Sequence, residues 1–167
     1  MRGLLIFATA LLVSAPSIAQ PAAPMLPSAE TRVREAADAL FRALRDEDKT
    51  QLADRMVETG MIFVHNQMDP MNPRVDVIPV TDHLARWEKG TRKVDEIMLY
   101  DIVLVERDMA QVWGPYTFWV GEMITHCGYN SMSMVQTDDG WKVANTSFTM
   151  VPPDQCKEIG APAAPEE

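Results

Sequence analysis

The chain reads as an α+β protein, with helices packed on one curved antiparallel sheet. Three observations predict this. From Val94 to Met150 the sequence falls into four consecutive strand-like runs, Val94–Glu106, Met109–Val120, Met123–Thr137 and Trp141–Met150, each rich in β-branched and aromatic residues. Their joints are short and polar: Arg107-Asp108, Gly121-Glu122 and Asp138-Asp139-Gly140. The half before them carries helical periodicity instead. A run of helices followed by a run of strands is the α+β arrangement, in which one sheet face is covered by the helices.

The elements follow in order. Ser28 is an N-cap, and Glu30 puts negative charge into the first turn. Val33, Ala36, Ala37, Leu40, Phe41 and Leu44 then recur at helical spacing, with Arg, Asp and Glu on the other face. That helix ends near Asp46–Asp48. Lys49–Val57, with Leu52, Ala53 and Met56, predicts a second, shorter helix. Gly60 breaks the pattern, and Met61–His65 is a compact apolar strand. Asn66–Pro79 holds Pro70, Pro73 and Pro79 and reads as a loop with a short strand at Val75–Ile78. Thr81 caps a third helix through Leu84 and Trp87, ended by Gly90, and the four-strand meander follows.

The two ends belong to neither half. Arg2, the apolar run Gly3–Ala15 and the small residues of Ser17-Ile18-Ala19 form a signal peptide, residues 1–19, with cleavage expected after Ala19. The run is short for a membrane span. It contains no Cys and no arginine pair, which argues against lipid-anchored and twin-arginine export. Residues 20–27 are a Pro-rich linker, 28–156 the domain, and 157–167 a Pro-, Ala- and Glu-rich tail expected to be disordered. A periplasmic or secreted location follows, with no membrane contact in the mature form.

Removing 19 of 167 residues leaves 148, the size of one domain with one core. Arg2 goes with them, leaving 14 basic against 24 acidic side chains, a formal charge of −10. That balance repels phosphate backbones and excludes nucleic acid as a partner. Cys127 and Cys156 are the only cysteines, and both lie in the exported part. An even count in an oxidising compartment points to a disulfide, the alternative being two separate buried thiols. Closing that loop of roughly 30 residues contributes about 3–4 kcal/mol on the chain-entropy account.

Further residues carry a family resemblance. Asp108-Met109-Ala110-Gln111-Val112-Trp113, Tyr116-Thr117-Phe118, His126-Cys127-Gly128 and Thr137-Asp138-Asp139-Gly140-Trp141-Lys142-Val143, in this element order, resemble the nuclear transport factor 2-like superfamily. The likeness spans residues 30–150 and is greatest to its small secreted bacterial members, the SnoaL-like and lumazine-binding-like domains. It implies a cone-shaped (cystatin-like) fold in which three N-terminal helices leave a pocket against the concave face of the sheet. The superfamily hosts isomerases, cyclases, dehydratases, carriers and dimerisation modules, so the fold by itself names no reaction.

Candidate site residues come from alternation and from that resemblance. His126, Gly128, Asn130, Met132 and Met134 share one strand face, and the two Met residues mark it as inward. His126 and Asn130 then lie in or beside the pocket, with Met132 in its wall. Tyr116 or Thr117 stands opposite His126, depending on hairpin register. Trp113 and Tyr116 are candidates for an aromatic wall. The ketosteroid isomerases place a catalytic carboxylate at roughly the position of His65 in the element order, which marks His65 as a rim residue. His65 and His126 are thus the candidate catalytic acid/bases, with structural hydrogen bonding as the alternative for each. The three histidines show no paired spacing, so neither a metal nor another cofactor is expected. Eleven Met residues beyond Met1 lean towards an adaptable apolar cavity.

Three functions compete. The leading one is an exported domain with a pocket for a small, largely apolar molecule. The second is a cofactor-free isomerase, cyclase or dehydratase using a pocket histidine. The third is a module that forms a homodimer through its sheet face, which requires a filled interior.

Overall fold

The computed structural model describes residues 26–163. The signal peptide, its cleavage position and most of the Pro-rich linker fall outside them, as do residues 164–167.

Helix α1, Ala29–Arg45, starts where the sequence places it. The Ser28 hydroxyl accepts the Thr31 N–H at 3.0 Å, so one of the orphan donors of the first turn is satisfied. Val33, Ala37, Phe41 and Leu44 form its buried stripe. At the other end Lys49 folds back, and its ammonium donates to the carbonyls of Leu44 and Asp46. The second helix is shorter than its periodicity predicts. A 3-10 turn, Lys49–Gln51, leads into a single turn α2, Leu52–Arg55, and the chain becomes extended at Met56. Strand β1 is Met56–Asn66, longer than the expected Met61–His65. Pairing of Met56 with Val143 pulls the chain out of the helix early. Gly60 sits in the irregular stretch that follows, where a Cβ would lie 1.9 Å from the carbonyl oxygen of Ala144.

The remaining elements are β2 Arg74–Pro79, α3 Val80–Glu88, β3 Val94–Met98, β4 Ile102–Glu106, β5 Met109–Val120, β6 Met123–Thr137 and β7 Gly140–Met150. One seven-stranded sheet results, in the order β2-β1-β7-β6-β5-β3, with β4 also paired to β5. The meander order is as expected, and its hairpin joints each carry one left-handed residue: Arg107, Gly121 and Gly140 (φ 54°, 61° and 103°). Two features differ from the sequence reading. The sheet is mixed, because β1 enters beside β7 and runs parallel to it. The expected strand Val94–Glu106 is two strands, which pair with successive halves of β5. They part because Pro115 has no N–H to offer a neighbour, while its carbonyl takes the Leu99 N–H at 2.9 Å. Gly114 lets the chain turn there, since a Cβ on it would lie 1.8 Å from the Leu99 carbonyl oxygen.

Helices α1 and α3 cover the concave face. Val33, Ala37 and Phe41 pack with Val112, Met132, Met134 and Val143 in the main core. The C-terminal segment takes the other face. Cys127 and Cys156 are bridged, with Cα atoms 5.6 Å apart. The tail expected to be disordered is folded through residue 163, because it has something to pack on. Ile159 and Ala161 rest on the disulfide, and the Thr117 hydroxyl donates to the Pro162 carbonyl at 2.6 Å.

Two outcomes follow. Replacing Cys127 by Ala together with Cys156 by Ser opens a loop spanning 29 residues. Urea unfolding should show a loss of about 3–4 kcal/mol from that opening. Gly114→Ala should cost about 2 kcal/mol or more by the same measurement, as an overpacking strain; a stability within error of the parent would show that Leu99 yields freely.

Candidate functional site

Between α1, α3 and the concave sheet lies a cavity of about 380 Å³. The sheet's curvature produces it: α1 rests on one part, α3 on another, and the space between is not filled. Alternation decides which side chains enter. Strand β1 contributes Ile62, Val64 and Asn66, β5 Tyr116 and Phe118, β6 His126, Asn130 and Met132, and β7 Thr146, Phe148 and Met150. From the helices come Leu40, Phe41 and Leu44 on one side and His83 and Trp87 on the other. Most of this wall is apolar.

Three of its polar groups form a connected set, while Asn66, Asp76, His83, Arg92 and His126 stand outside it. Thr146 donates through its hydroxyl to Asn130 Oδ1 at 2.6 Å, and Asn130 Nδ2 donates to Glu96 Oε1 at 3.3 Å. Glu96 is enclosed by protein yet keeps some contact with the open cavity. That burial, opposed by the Asn130 hydrogen bond and reinforced by the charge of Asp95, raises its carboxyl to about 7. His126 is stacked on Phe118 with ring centres 4.9 Å apart, and its Nδ1 lies 3.1 Å from the Thr125 hydroxyl. Burial lowers its pKa to about 4, so it is a neutral imidazole at physiological pH. His83 is similar: burial and the nearby Arg86 lower it to about 4. Its Nε2 accepts from the Trp87 indole at 2.9 Å, which places the ring proton on Nδ1. Tyr116 donates to the Thr149 carbonyl at 2.8 Å, and burial pushes its phenol upward, so it stays neutral.

No family model matches this sequence, and no curated protein matches it. Solved structures do match in shape. A nuclear transport factor 2-like protein from Cytophaga hutchinsonii superposes with a TM-score of 0.61 at 13% identity, over 74% of this chain and 99% of the other. The beta subunit of a provisionally assigned aromatic-ring-hydroxylating dioxygenase from Novosphingobium aromaticivorans gives 0.60 at 12%, over 74% and 89%. A provisionally assigned dehydratase of the nuclear transport factor 2-like family from Streptomyces avermitilis gives 0.58 at 17%, over 73% and 95%. The chain has the nuclear transport factor 2-like fold.

Within that fold, four residues singled out from the sequence meet in the cavity: Tyr116, His126, Asn130 and Met132. Two do not. His65 lies on the opposite face, because Ile62, Val64 and Asn66 are the inward residues of β1; its Nε2 is 2.9 Å from the Ser147 hydroxyl. It is therefore not at the rim. Trp113 also faces outward, where it stacks on Tyr129 with ring centres 5.4 Å apart. The register question has a third answer. Phe118 stands opposite His126, Tyr116 opposite Gly128 and Thr117 opposite Cys127, because the β5–β6 pairing is irregular between Phe118 and Trp119. Tyr116 still meets His126 diagonally, edge to face at 5.8 Å. Glu96 is the residue that sequence reasoning missed. Its signal was present: in Val94–Met98 it alternates with Val94 and Met98, both buried, so a carboxylate occupies an inward position.

The shifted groups set the pH response of stability. Glu96 has a folded pKa raised above its unfolded value of 4.5, so its contribution is complete below about 4.5 and is lost as pH rises through 7. Glu96→Gln should therefore gain stability over the parent above neutrality, by up to about 3 kcal/mol, and show little gain near pH 5. The two histidines act oppositely, since their folded values lie below 6.5; their contribution is lost as pH falls from about 6.5 towards 4. Denaturant titrations of parent and variant across this range read both trends. A Glu96→Gln difference independent of pH would refute the shifted carboxyl.

Proposed function

We propose that this is an exported pocket protein that holds a small, largely apolar molecule, with its polar end at Glu96, Asn130 and His126. The observation that carries the reading is the cavity itself: a mostly apolar wall of helix and sheet residues with a few polar groups, among them the hydrogen-bonded Glu96–Asn130–Thr146 set, the usual make-up of a small-molecule site. Export is supported by the sequence of residues 1–19 and by the disulfide, a bond that persists in oxidising compartments. Among the described residues no helix is long and apolar enough to cross a membrane.

A second reading is cofactor-free proton transfer of the isomerase, cyclase or dehydratase kind. It is favoured by Glu96, a cavity carboxyl with a pKa near 7, where a general base is most effective. In that reading Glu96 takes the proton, and neutral His126 serves as a hydrogen-bonding partner. The open interior counts against a pure dimerisation module. A homodimer remains part of the proposal, because the outer sheet face carries Phe63, Val75, Val77 and Trp113, all exposed.

Nile red, a neutral apolar dye, tests the pocket. The parent should bind it saturably. Val64→Trp, which fills the cavity from β1, should weaken binding at least tenfold while far-ultraviolet circular dichroism stays unchanged. Binding that ignores the plug would place the dye elsewhere and sink the reading. Sedimentation velocity tests the dimer: Val77→Glu should convert it to monomer.

A further inference from the structure

Glu96 is a cavity carboxyl that makes no ion pair among the described residues. Its described hydrogen-bond partner is the neutral amide of Asn130. Among the described residues no Lys, Arg or His nitrogen lies within 4.0 Å of it. Of the nearby cations, Arg45 of α1 pairs with Asp95 at 2.7 Å; Arg42 of α1 shares a surface pocket with Glu96, and Arg92, before β3, lines the same cavity, but neither comes within 4.0 Å of the carboxyl. The other titratable groups of the site add no positive charge. These are Asp38 of α1, hydrogen-bonded to Tyr100, Asp76 of β2, paired with Arg74 at 3.1 Å, then Tyr116 of β5, His126 of β6 and His83 of α3, both histidines neutral. A buried carboxylate left without a partner is costly, so once Glu96 ionises its charge is unmatched within 4.0 Å.

What surrounds the carboxyl is aromatic. Glu96 pairs across the ladder with Phe118, and Phe118 with His126, so the three form one row across β3, β5 and β6. Trp87 of α3 closes over Phe118, ring centres 6.3 Å apart, and Tyr116 lines the same wall. A carboxylate beside aromatic faces, in a largely apolar cavity, is the chemistry that recognises an ammonium group on an apolar body.

The geometry points to a ligand class: lipophilic amines, whose ammonium group pairs with Glu96 while the apolar body fills the space against Phe118, Met132 and the α1 stripe. This rests on the pocket reading above and narrows it. It also separates the pocket from one for a neutral carbonyl compound, which would need Glu96 protonated as a donor.

Three probes with one carbon skeleton decide it: diphenylpropylamine, diphenylpropanol and diphenylpropionate, each titrated into the full mature protein by calorimetry. Near pH 8 the amine should bind at least tenfold more tightly than the alcohol, and the carboxylate weakest. Lowering the pH to about 5.5 should weaken the amine about thirtyfold, because Glu96 must then give up a proton to bind it, while the alcohol changes little. Glu96→Gln should abolish the amine's advantage and leave the alcohol within about threefold of the parent. The pH profile of the parent makes the result independent of whether the variant folds. If amine and alcohol bind alike, or amine binding is flat with pH, the amine assignment fails and the pocket stands. If none of the three binds and Nile red also fails, the pocket reading falls with it.

Discussion

The parity of β6 is the constraint on which the rest of this structure depends. It is the longest strand, and it is paired along most of its length on both sides, with β5 and with β7. Neither neighbour lets it slip, since a one-residue shift would turn every inward side chain outward. With the parity held, His126, Asn130, Met132 and Met134 face the helices. Cys127, Tyr129 and Ser131 face away. Cavity and disulfide are thereby assigned to opposite sides of one strand. The tail can be pinned across the outer face without touching the pocket, and the pocket keeps its mouth free of the tail.

The cavity exists because a strongly curved sheet and two helices do not close on each other. Its low polarity then governs the chemistry of every group that enters it. Burial disfavours charge, so His83 and His126 are held neutral and Glu96 holds its proton up to near neutrality. Hydrogen bonding disperses part of that cost: the chain from Thr146 through Asn130 to Glu96 links β7, β6 and β3 across the sheet. Two of these residues, Asn130 and Thr146, are among the few buried polar side chains of the domain. Polar groups buried together with partners are tolerated; isolated, each would be a defect.

The likeness to solved structures fits this division. Identities of 12–17% accompany TM-scores near 0.6. What the likeness shows is the fold, and a fold shared at this level carries no single chemistry with it.

The sequence by itself determined the α+β class, α1 and its cap, the four meander runs, the inward face of β6 and the pairing of the two cysteines. All of these rest on local signals: period, turn residues and a count of two. It was also enough to put His126, Asn130 and Met132 on one inward face, while the choice between Tyr116 and Thr117 was left to the hairpin register. Tertiary structure decided the rest. His65 is turned outward by the parity of β1, which is set through its parallel partner β7, some eighty residues away in the chain. Phe118 is placed opposite His126 by an irregularity in the hairpin that no local residue announces. The end of the chain folds because the outer faces of β5 and β6 lie beneath it. Glu96 gains its character only in the assembled domain. Its inward position is legible from Val94 and Met98, but its raised pKa comes from walls contributed by α1, β5, β6 and β7. A carboxyl's proton affinity is a property of its surroundings, and those surroundings do not exist until the chain has folded.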